Sequence, residues 1–286
     1  MLGESDRFRF SCTSCGKCCF GQRIVLTPAD VGLMASSAWA RAHGIESTHD
    51  LHARGLVERR LDPDSRAPAC MISVDGPDAP CPFLVPEIAI TSGVQRLMVE
   101  REVAAGRNPV EAVRRAGLTP SRLLCGLHED GSKPMVCKGA PVGRVHYDGA
   151  IQYIIEPPHP ECPGMREPGE WTIAEWIRSS RLEEQHRETA WFSDFMARLG
   201  PHFPSMDGRR LAWIGEALYN PDAVAFHFGV APAQPPSRTL PLAGLMRFVR
   251  GLAESFAAGP EEDFSDPSVA ARRAGDMAAR VAQARG

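Results

Sequence analysis

Cys12-Thr-Ser-Cys15-Gly-Lys-Cys18-Cys19, near the start of this chain, places four of the nine cysteines within eight residues. We name residues 12–19 the cysteine knuckle. Thiols packed this closely oxidise or scramble unless they are used together, and neighbouring thiolates repel each other. The first residues carry no apolar signal-peptide segment, and in such a chain clustered cysteines indicate metal ligands rather than a disulfide framework. The knuckle therefore predicts a metal centre bound through sulfur.

The spacing inside the knuckle carries further information. C-x-x-C places two sulfurs on one tight turn, where the intervening amides can donate hydrogen bonds to sulfur. Gly16 permits the left-handed backbone that such a turn needs. Cys18 and Cys19 are adjacent, and neighbouring side chains diverge in extended backbone, so we expect strain if both bind one mononuclear ion. The pair predicts either two centres that share the knuckle or one ligand beside a thiol with another task.

The other five cysteines carry weaker signals. Cys70 lies in the β-like run 69–74, where a cysteine is most simply a small buried apolar side chain. Cys81-Pro82, Cys125-Gly126 and Cys162-Pro163 are turn-like, as ligands on loops often are. For these three cysteines and for Cys137, spacing alone leaves open whether each binds metal.

Several motifs resemble the CxxCxxCC family, the YkgJ-type zinc- or iron-chelating domain, some members of which are described as iron–sulfur proteins. The resemblance covers residues 8–165 and rests on Phe10-Ser-Cys-Thr-Ser-Cys-Gly-Lys-Cys-Cys19, Cys81-Pro-Phe-Leu84, Cys125-Gly-Leu-His128, Lys133-Pro134 with Cys137, and Cys162-Pro-Gly164. It implies eight metal ligands: Cys12, Cys15, Cys18, Cys19, Cys81, Cys125, Cys137 and Cys162. The family usually has Tyr and Arg-Pro where this chain has His128 and Lys133-Pro134, and the stretch from Cys81 to Cys125 is long. A more distant resemblance extends to flagellin lysine-N-methylases, which carry this cysteine region.

The spacing also bears on the identity of the metal. Eight thiolates can serve two tetrathiolate zinc ions, one or two iron–sulfur clusters, or a mixture. Zinc sites with four cysteines usually come as two C-x-x-C knuckles, and only the first motif here has that spacing. C-x-x-C-x-x-C with a remote Cys81-Pro82 is typical of a four-iron, four-sulfide cluster. The spacing favours an iron–sulfur cluster, with zinc as the alternative.

The pattern of the whole chain predicts an α+β protein. We expect a small cysteine-rich, metal-centred domain with short strands over residues 1–168, with a helical insertion at about 91–120, and a mostly helical region over 169–286. The strand signals are at 8–10, 24–26, 69–74, 88–90 and in a hairpin over 144–155. The helix signals are at 27–42, 93–105 and 109–117, from Thr172 onward, and at 208–218, 240–258 and 267–285.

Composition and charge exclude several classes. The formal net charge of −3 gives no global footprint for nucleic acid. No apolar run approaches the roughly 18–20 residues that a membrane span requires. The leading interpretation is a cytoplasmic iron–sulfur protein with metal ions as its partners and a redox role. A methylase-like enzyme that modifies protein lysines and a zinc-stabilised interaction module are the alternatives. No catalytic residue and no substrate are predicted.

Overall fold

The computed structural model describes residues 2–89, 92–128, 130–147, 150–227, 247 and 249–251. Every helix among them is too short or too polar to cross a lipid bilayer. In chain order the strands are β1 (Arg7–Arg9), β2 (Val25–Leu26), β3 (Val57–Leu61), β4 (Pro68–Ile72), β5 (Leu84–Glu87), β6 (Arg122–Cys125), β7 (Val142–Tyr147), β8 (Ala150–Ile155) and β9 (Glu170–Thr172). The helices are α1 (Pro28–Ala35), α2 (Ala38–Ala42), α3 (Thr48–Ala53), α4 (Gly93–Ala104), α5 (Pro109–Arg115), α6 (Met135–Gly139), α7 (Ile173–Ser179), α8 (Leu182–Leu199), α9 (Gly208–Tyr219) and α10 (Pro221–His227).

The α+β class is confirmed, and most local signals lie close to the observed elements. The α4, α5 and α9 helices and the β7–β8 hairpin match their predicted stretches, whereas the Asp-Gly turn of that hairpin lies outside the described residues. The helix predicted over 27–42 is instead two helices, because Ser37 accepts a hydrogen bond from the amide of Ala40 and starts α2. The strand predicted at 88–90 lies earlier, at β5, where it pairs with β6. The predicted helix at 267–285 lies outside the described residues, as does 240–258 apart from helical residues 247 and 249–251.

The chain divides into two compact units. The cysteine unit comprises Met1–Ile24, Ser73–Gly131 and Met135–Glu183. The second unit comprises Val25–Ile72, Ser132–Pro134 and Glu184–Gly286. This division differs from the predicted boundary between residues 168 and 169, because long-range pairing rather than chain order groups the segments.

Strand pairing and aromatic packing keep residues 169–183 in the cysteine unit. The β9 strand pairs antiparallel with β1, with Phe8 opposite Trp171. The ring of Trp176 in α7 meets Phe8 and Phe10 edge-on, at centroid distances of 5.9 and 5.4 Å. The indole of Trp171 also donates a hydrogen bond to the carbonyl of Phe10 at 2.9 Å. The start of the predicted helical region, residues 169–183, therefore belongs to the cysteine unit and contributes to its core.

The second unit explains why residues 25–72 do not belong with the knuckle. Its sheet has the order β2-β4-β3, and α9 packs on β4 while α10 packs on α3. The buried carboxylate of Asp222 accepts hydrogen bonds from the amide and hydroxyl of Thr48 at 2.7 and 2.9 Å. Arg59 in β3 forms an ion pair with Glu216 in α9. These contacts join residues 25–72 to residues 184–227, two segments that lie on either side of residues 73–183 in the sequence.

Candidate metal centre

All eight cysteines that the resemblance implies as ligands lie in the cysteine unit, and Cys70 lies in the second unit. Cys70 is fully buried in β4, and burial raises the pKa of its thiol to about 12. The interpretation of Cys70 as a small buried side chain is confirmed. The division of the chain thus separates this one thiol from the other eight.

The knuckle folds as a tight turn. Gly16 has a left-handed φ of 72°, as the sequence predicts, and the amide of Cys19 donates to the carbonyl of Gly16 at 2.8 Å. Lys17–Cys19 form a short 3₁₀ turn. The side chains of Cys18 and Cys19 do not diverge, because this backbone is helical rather than extended, and their sulfurs lie 3.8 Å apart. The premise that the backbone at this pair is extended is therefore wrong.

The knuckle contacts the two-stranded β5–β6 sheet, whose strands are connected through α4 and α5. The amide of Cys81 donates to the carbonyl of Cys19 at 2.7 Å, and the amide of Leu123 donates to the carbonyl of Ser14 at 2.9 Å. Cys125 ends β6, directly opposite Leu84 in the strand register. The amide of Leu84 in turn donates to the carbonyl of Cys81 at 3.0 Å. Backbone hydrogen bonds therefore place Cys81 and Cys125 beside the turn that carries Cys18 and Cys19.

The α5 helix of the insertion contacts the Cys81 loop and the residue after the knuckle. Asn108 caps α5 by accepting from the amide of Val110 at 2.9 Å, and its side-chain amide donates to the carbonyl of Cys81 at 3.2 Å. The guanidinium of Arg114 lies over the ring of Phe20, 4.9 Å from its centroid. Asn108-Pro109 is a recognisable helix start in the sequence, but its second hydrogen bond depends on which loop folds against the helix. Neither the Asn108–Cys81 contact nor the Arg114–Phe20 contact is therefore predictable from the sequence.

The knuckle and its neighbour Ser11 also contact the segment around Cys162. The amide of Ser11 donates to the carbonyl of Gly164 at 3.0 Å, and Lys17 pairs with Glu161 at 2.5 Å. A Cβ on Gly164 would lie 2.5 Å from the carbonyl oxygen of Ser11, so only glycine permits this approach. His159, the histidine nearest to Cys162 in sequence, accepts a hydrogen bond from the amide of Glu161 through Nδ1 at 3.1 Å.

Cys12 and Cys137 differ in exposure, and neighbouring residues show what their segments contact. Cys12 is exposed and directly follows Ser11. Cys137 is half-buried in the short α6 helix. Met135 of α6 and Cys162 both pack against the core formed around Phe8 and Phe10. The fold thus brings the α6 helix and the Cys162 loop to one core.

Mutual electrostatics link the thiols of the centre. The thiol of Cys18 raises the pKa of Cys19 most, burial raises it further, and Cys81 and Cys125 add to the effect. Burial first, and then Cys125 and Cys18, raise the pKa of Cys81 to about 12. Burial also raises the pKa of Cys162, with smaller contributions from Cys15 and Cys18. Each thiol opposes the ionisation of its neighbours, and a bound cation relieves that repulsion.

Backbone amides donate to two of the sulfurs. The sulfur of Cys81 accepts from the amide of Phe83, and the sulfur of Cys162 accepts from the amides of Gly164 and Met165. In both places the cysteine precedes a proline, and the turn that follows aims its N–H groups back at the sulfur. Such donors lower the pKa of a thiol and orient a thiolate ligand.

The donor set fits a thiolate metal centre in its chemistry and in one distance. Two sulfurs bound at about 2.3 Å to one tetrahedral ion lie about 3.8 Å apart, which is the separation of the Cys18 and Cys19 sulfurs. Within the part of the chain that the structure describes, no group of three or more His, Cys, Asp or Glu side chains is positioned to hold one metal ion. The fit therefore rests on the sulfur donors, on the amides aimed at them and on the Cys18–Cys19 pair.

No protein-family model, no curated protein and no solved structure matches this chain. The resemblance to the CxxCxxCC family and the more distant one to flagellin lysine-N-methylases stay predictions from the motifs quoted above.

Proposed function

We propose that this chain is a cytoplasmic metal-binding protein whose eight clustered cysteines hold an iron–sulfur centre with a redox role. The observation that carries the proposal is the placement of the thiols. Backbone hydrogen bonds tie the knuckle to the segments that carry Cys81 and Cys125, and the Lys17–Glu161 ion pair with a hydrogen bond from Ser11 ties it to the Cys162 loop. Cys70, which the motif register leaves out, belongs to the other unit.

Thiol chemistry supports metal binding over a free-thiol role. Burial and neighbouring thiols keep the pKa values of Cys19, Cys81 and Cys162 above the ordinary range, so these groups are poor nucleophiles without a cation. The amides of Phe83, Gly164 and Met165 are already aimed at sulfur and would stabilise the thiolate form.

Iron–sulfur is the leading choice of metal because of spacing. C-x-x-C-x-x-C with distant Cys-Pro elements is typical of such clusters, and a second C-x-x-C is missing. A cluster held here would supply one-electron chemistry. The chain's own residues would set its environment through the amides donating to sulfur and through the half-buried position of most of the thiols.

Zinc is a second candidate, favoured by the Cys18–Cys19 distance. Sulfurs 3.8 Å apart suit two ligands of a single ion. In a four-iron cluster each thiolate binds a different iron, whereas a mononuclear site or one iron of a two-iron cluster takes both sulfurs. A zinc-stabilised interaction module would use the same residues without redox chemistry. The lysine-modifying alternative rests on the distant methylase resemblance alone.

Anaerobic purification or reconstitution tests the proposal. We expect iron and acid-labile sulfide to be bound in comparable amounts, with charge-transfer absorption and an electron paramagnetic resonance signal after reduction. Aerobic samples are a poor test, because thiolate sites take up zinc during expression. Absence of sulfide with stoichiometric zinc under anaerobic conditions would replace the iron–sulfur proposal with the zinc module. A protein that holds neither metal would overturn metal binding altogether.

A further inference from the structure

Cys18 and Cys19 form a pair of thiols whose two sulfurs lie 3.8 Å apart. A local turn produces this separation. The amide of Cys19 donates to the carbonyl of Gly16 at 2.8 Å, and the amide of Phe20 donates to the carbonyl of Lys17 at 3.3 Å. Both hydrogen bonds lie within residues 16–20, so the turn needs no distant segment of the chain. Two adjacent residues therefore present their sulfurs to one ligand.

The pair can be reached from solvent. Cys18 is exposed and Cys19 is half-buried. The thiols outside the knuckle that the resemblance implies as ligands are all half-buried and lie far along the chain from it. Closing a long loop costs more conformational entropy than closing a short one. A ligand can therefore bind the pair before the distant segments fold against the knuckle.

The separation of the two sulfurs indicates the kind of ligand that the pair suits. Two sulfurs bound at about 2.3 Å to one tetrahedral ion lie about 3.8 Å apart, as the sulfurs of Cys18 and Cys19 do. Among the described residues, no cluster of three or more His, Cys, Asp or Glu side chains is placed to hold one ion. A site made of this pair uses two protein ligands only. Thiolates are soft ligands and favour thiophilic metals.

We propose, on the basis of the function proposed above, that Cys18 and Cys19 are the entry site of the metal centre. The pair chelates a thiophilic metal ion before any other cysteine binds it. Two metal–sulfur bonds form, the ion loses two of its water ligands, and the two thiol protons pass to solvent. The remaining cysteines join afterwards, as their segments fold against the knuckle.

The first test probes the pair without any metal, using phenylarsine oxide on the reduced, metal-free full chain. The arsenic of this reagent forms two bonds to sulfur, and its oxygen leaves as water with the two thiol protons. Trypsin cleaves after Arg9, Lys17 and Arg23. Residues 18–23 then carry Cys18 and Cys19 and no other cysteine. We expect mass spectrometry to recover the first equivalent of arsenical on this peptide.

The competing pairs in the knuckle give different products. Arsenic on Cys12 and Cys15 would be recovered on residues 10–17, and arsenic on Cys15 and Cys18 would link the two peptides. Either product as the main one would overturn the assignment. Two matched variants repeat the test: Cys19→Ser should lose the adduct on residues 18–23, whereas Cys15→Ser should keep it. Loss of that adduct in Cys15→Ser would also contradict the proposal.

The second test measures the order in which the cysteines bind metal, by anaerobic rapid mixing with Co²⁺ and detection of thiolate-to-metal absorption. Cys19→Ser should lower the initial rate of uptake about tenfold, because one thiol replaces a chelating pair. Cys162→Ser should lower the final amount of bound Co²⁺ and leave the initial rate unchanged, since this ligand joins later. Cys70→Ser should match wild type in both quantities.

Different outcomes separate this inference from the function on which it rests. If wild type binds Co²⁺ and Cys19→Ser takes it up at the wild-type initial rate, the entry site is wrong and metal binding stands. If Cys162→Ser slows the initial rate as much as Cys19→Ser does, the cysteines bind together and the proposed order is wrong. If wild type binds neither Co²⁺ nor iron with sulfide, the proposed function fails together with the entry site. The peptide map of the wild-type chain does not depend on the folding of any variant.

Discussion

The cysteine unit and the second unit differ in the apolar core that each one buries. The second unit buries the larger share of the fully buried apolar side chains among the described residues, on faces of α1, α3, β4 and α9. The cysteine unit has a core built around Phe8, Phe10 and Trp176. Its β5–β6 sheet leaves the cross-strand pair Val85 and Leu124 partly exposed. Small units with modest cores commonly depend on metal or disulfide cross-links. On the proposed function, we expect metal to stabilise the cysteine unit and apolar burial to stabilise the second unit.

Two buried carboxylates in the second unit, Asp30 and Asp222, are paired with other residues of that unit. Asp30 is 1% exposed, and it accepts hydrogen bonds from Thr27 at 2.8 Å and from Gln185 at 2.6 Å. Asp222 is bonded to Thr48 in the same manner. In the cysteine unit, by contrast, half-buried thiols around the knuckle raise one another's pKa. The proposed metal centre would relieve this repulsion.

The largest expected effect is the loss of the cysteine unit on metal removal. Metal-binding energy in structural thiolate sites is folding energy, on the order of 10 kcal/mol. A chelator applied to metal-loaded protein should abolish amide hydrogen-exchange protection in residues 7–20, 80–87 and 122–125. Protection in α9 and β4 should survive, since they lie in the second unit. Simultaneous loss of protection in both units would show that they unfold as one and would break the comparison.

Single serine substitutions should separate the units in the same way at smaller cost. Cys125→Ser should lower bound metal and destabilise the cysteine unit by several kcal/mol, because one ligand of a folding-coupled site is lost. Cys70→Ser should leave metal content unchanged and destabilise only the second unit, by about 1–3 kcal/mol, since a hydroxyl replaces a fully buried thiol. Metal analysis combined with regional hydrogen exchange measures both effects. Metal loss in Cys70→Ser would contradict the assignment of that residue.

The sequence predicts the local features of the site better than its tertiary arrangement. The turn at Gly16, the Thr27 and Thr172 capping boxes and the β7–β8 hairpin follow from residue types a few positions apart. The pairing of β1 with β9 and the hydrogen bond from Asn108 to Cys81 join residues far apart in sequence. Neither contact leaves a periodic pattern in the sequence, so the boundaries of the two units could not be predicted from shifts in composition. The helical turn that brings the sulfurs of Cys18 and Cys19 to 3.8 Å likewise does not follow from the two adjacent residue types.

A comparison of alanine substitutions at Gly16 and Gly131 tests how closely strand β6 must approach the knuckle. Gly16 and Gly131 have nearly the same positive φ, 72° and 71°, so alanine costs about 1 kcal/mol of backbone strain at either position. A Cβ at Gly16 would lie 2.6 Å from the side chain of Leu123, whereas nothing lies within 4 Å at Gly131. Gly16→Ala should therefore lose about 1–3 kcal/mol more than Gly131→Ala.

Chemical denaturation of the metal-loaded protein, followed by hydrogen exchange of the amides in residues 7–20 and 122–125, reports on this unit. Gly16→Ala should also bind metal more weakly, because the turn that carries Cys18 and Cys19 is displaced. Equal losses of stability in the two variants would mean that the contact with Leu123 gives way without cost.

The smallest expected effect is a pH dependence confined to the second unit. Burial lowers the pKa of His52 to about 4, and the hydrogen bond from its Nε2 to the carbonyl of Tyr219, at 2.9 Å, offsets only part of that shift. The unfolded chain has a histidine pKa of about 6.5 and takes up the proton first as pH falls. The neutral imidazole therefore contributes stability fully above about pH 6.5 and loses it progressively toward pH 4. Between pH 7 and pH 5.5 the loss should be about 1 kcal/mol.

His52→Gln keeps an amide donor for the carbonyl of Tyr219 but does not titrate, so its second unit should lack this part of the pH dependence. Regional hydrogen exchange in residues 48–72 at the two pH values measures the difference between variant and wild type. The same scan in the cysteine unit should show no change on substitution at residue 52. If wild type and His52→Gln lose stability equally between pH 7 and pH 5.5, other groups govern the acid response. The half-buried imidazole of His52 would then stabilise the second unit through its packing and not through its titration.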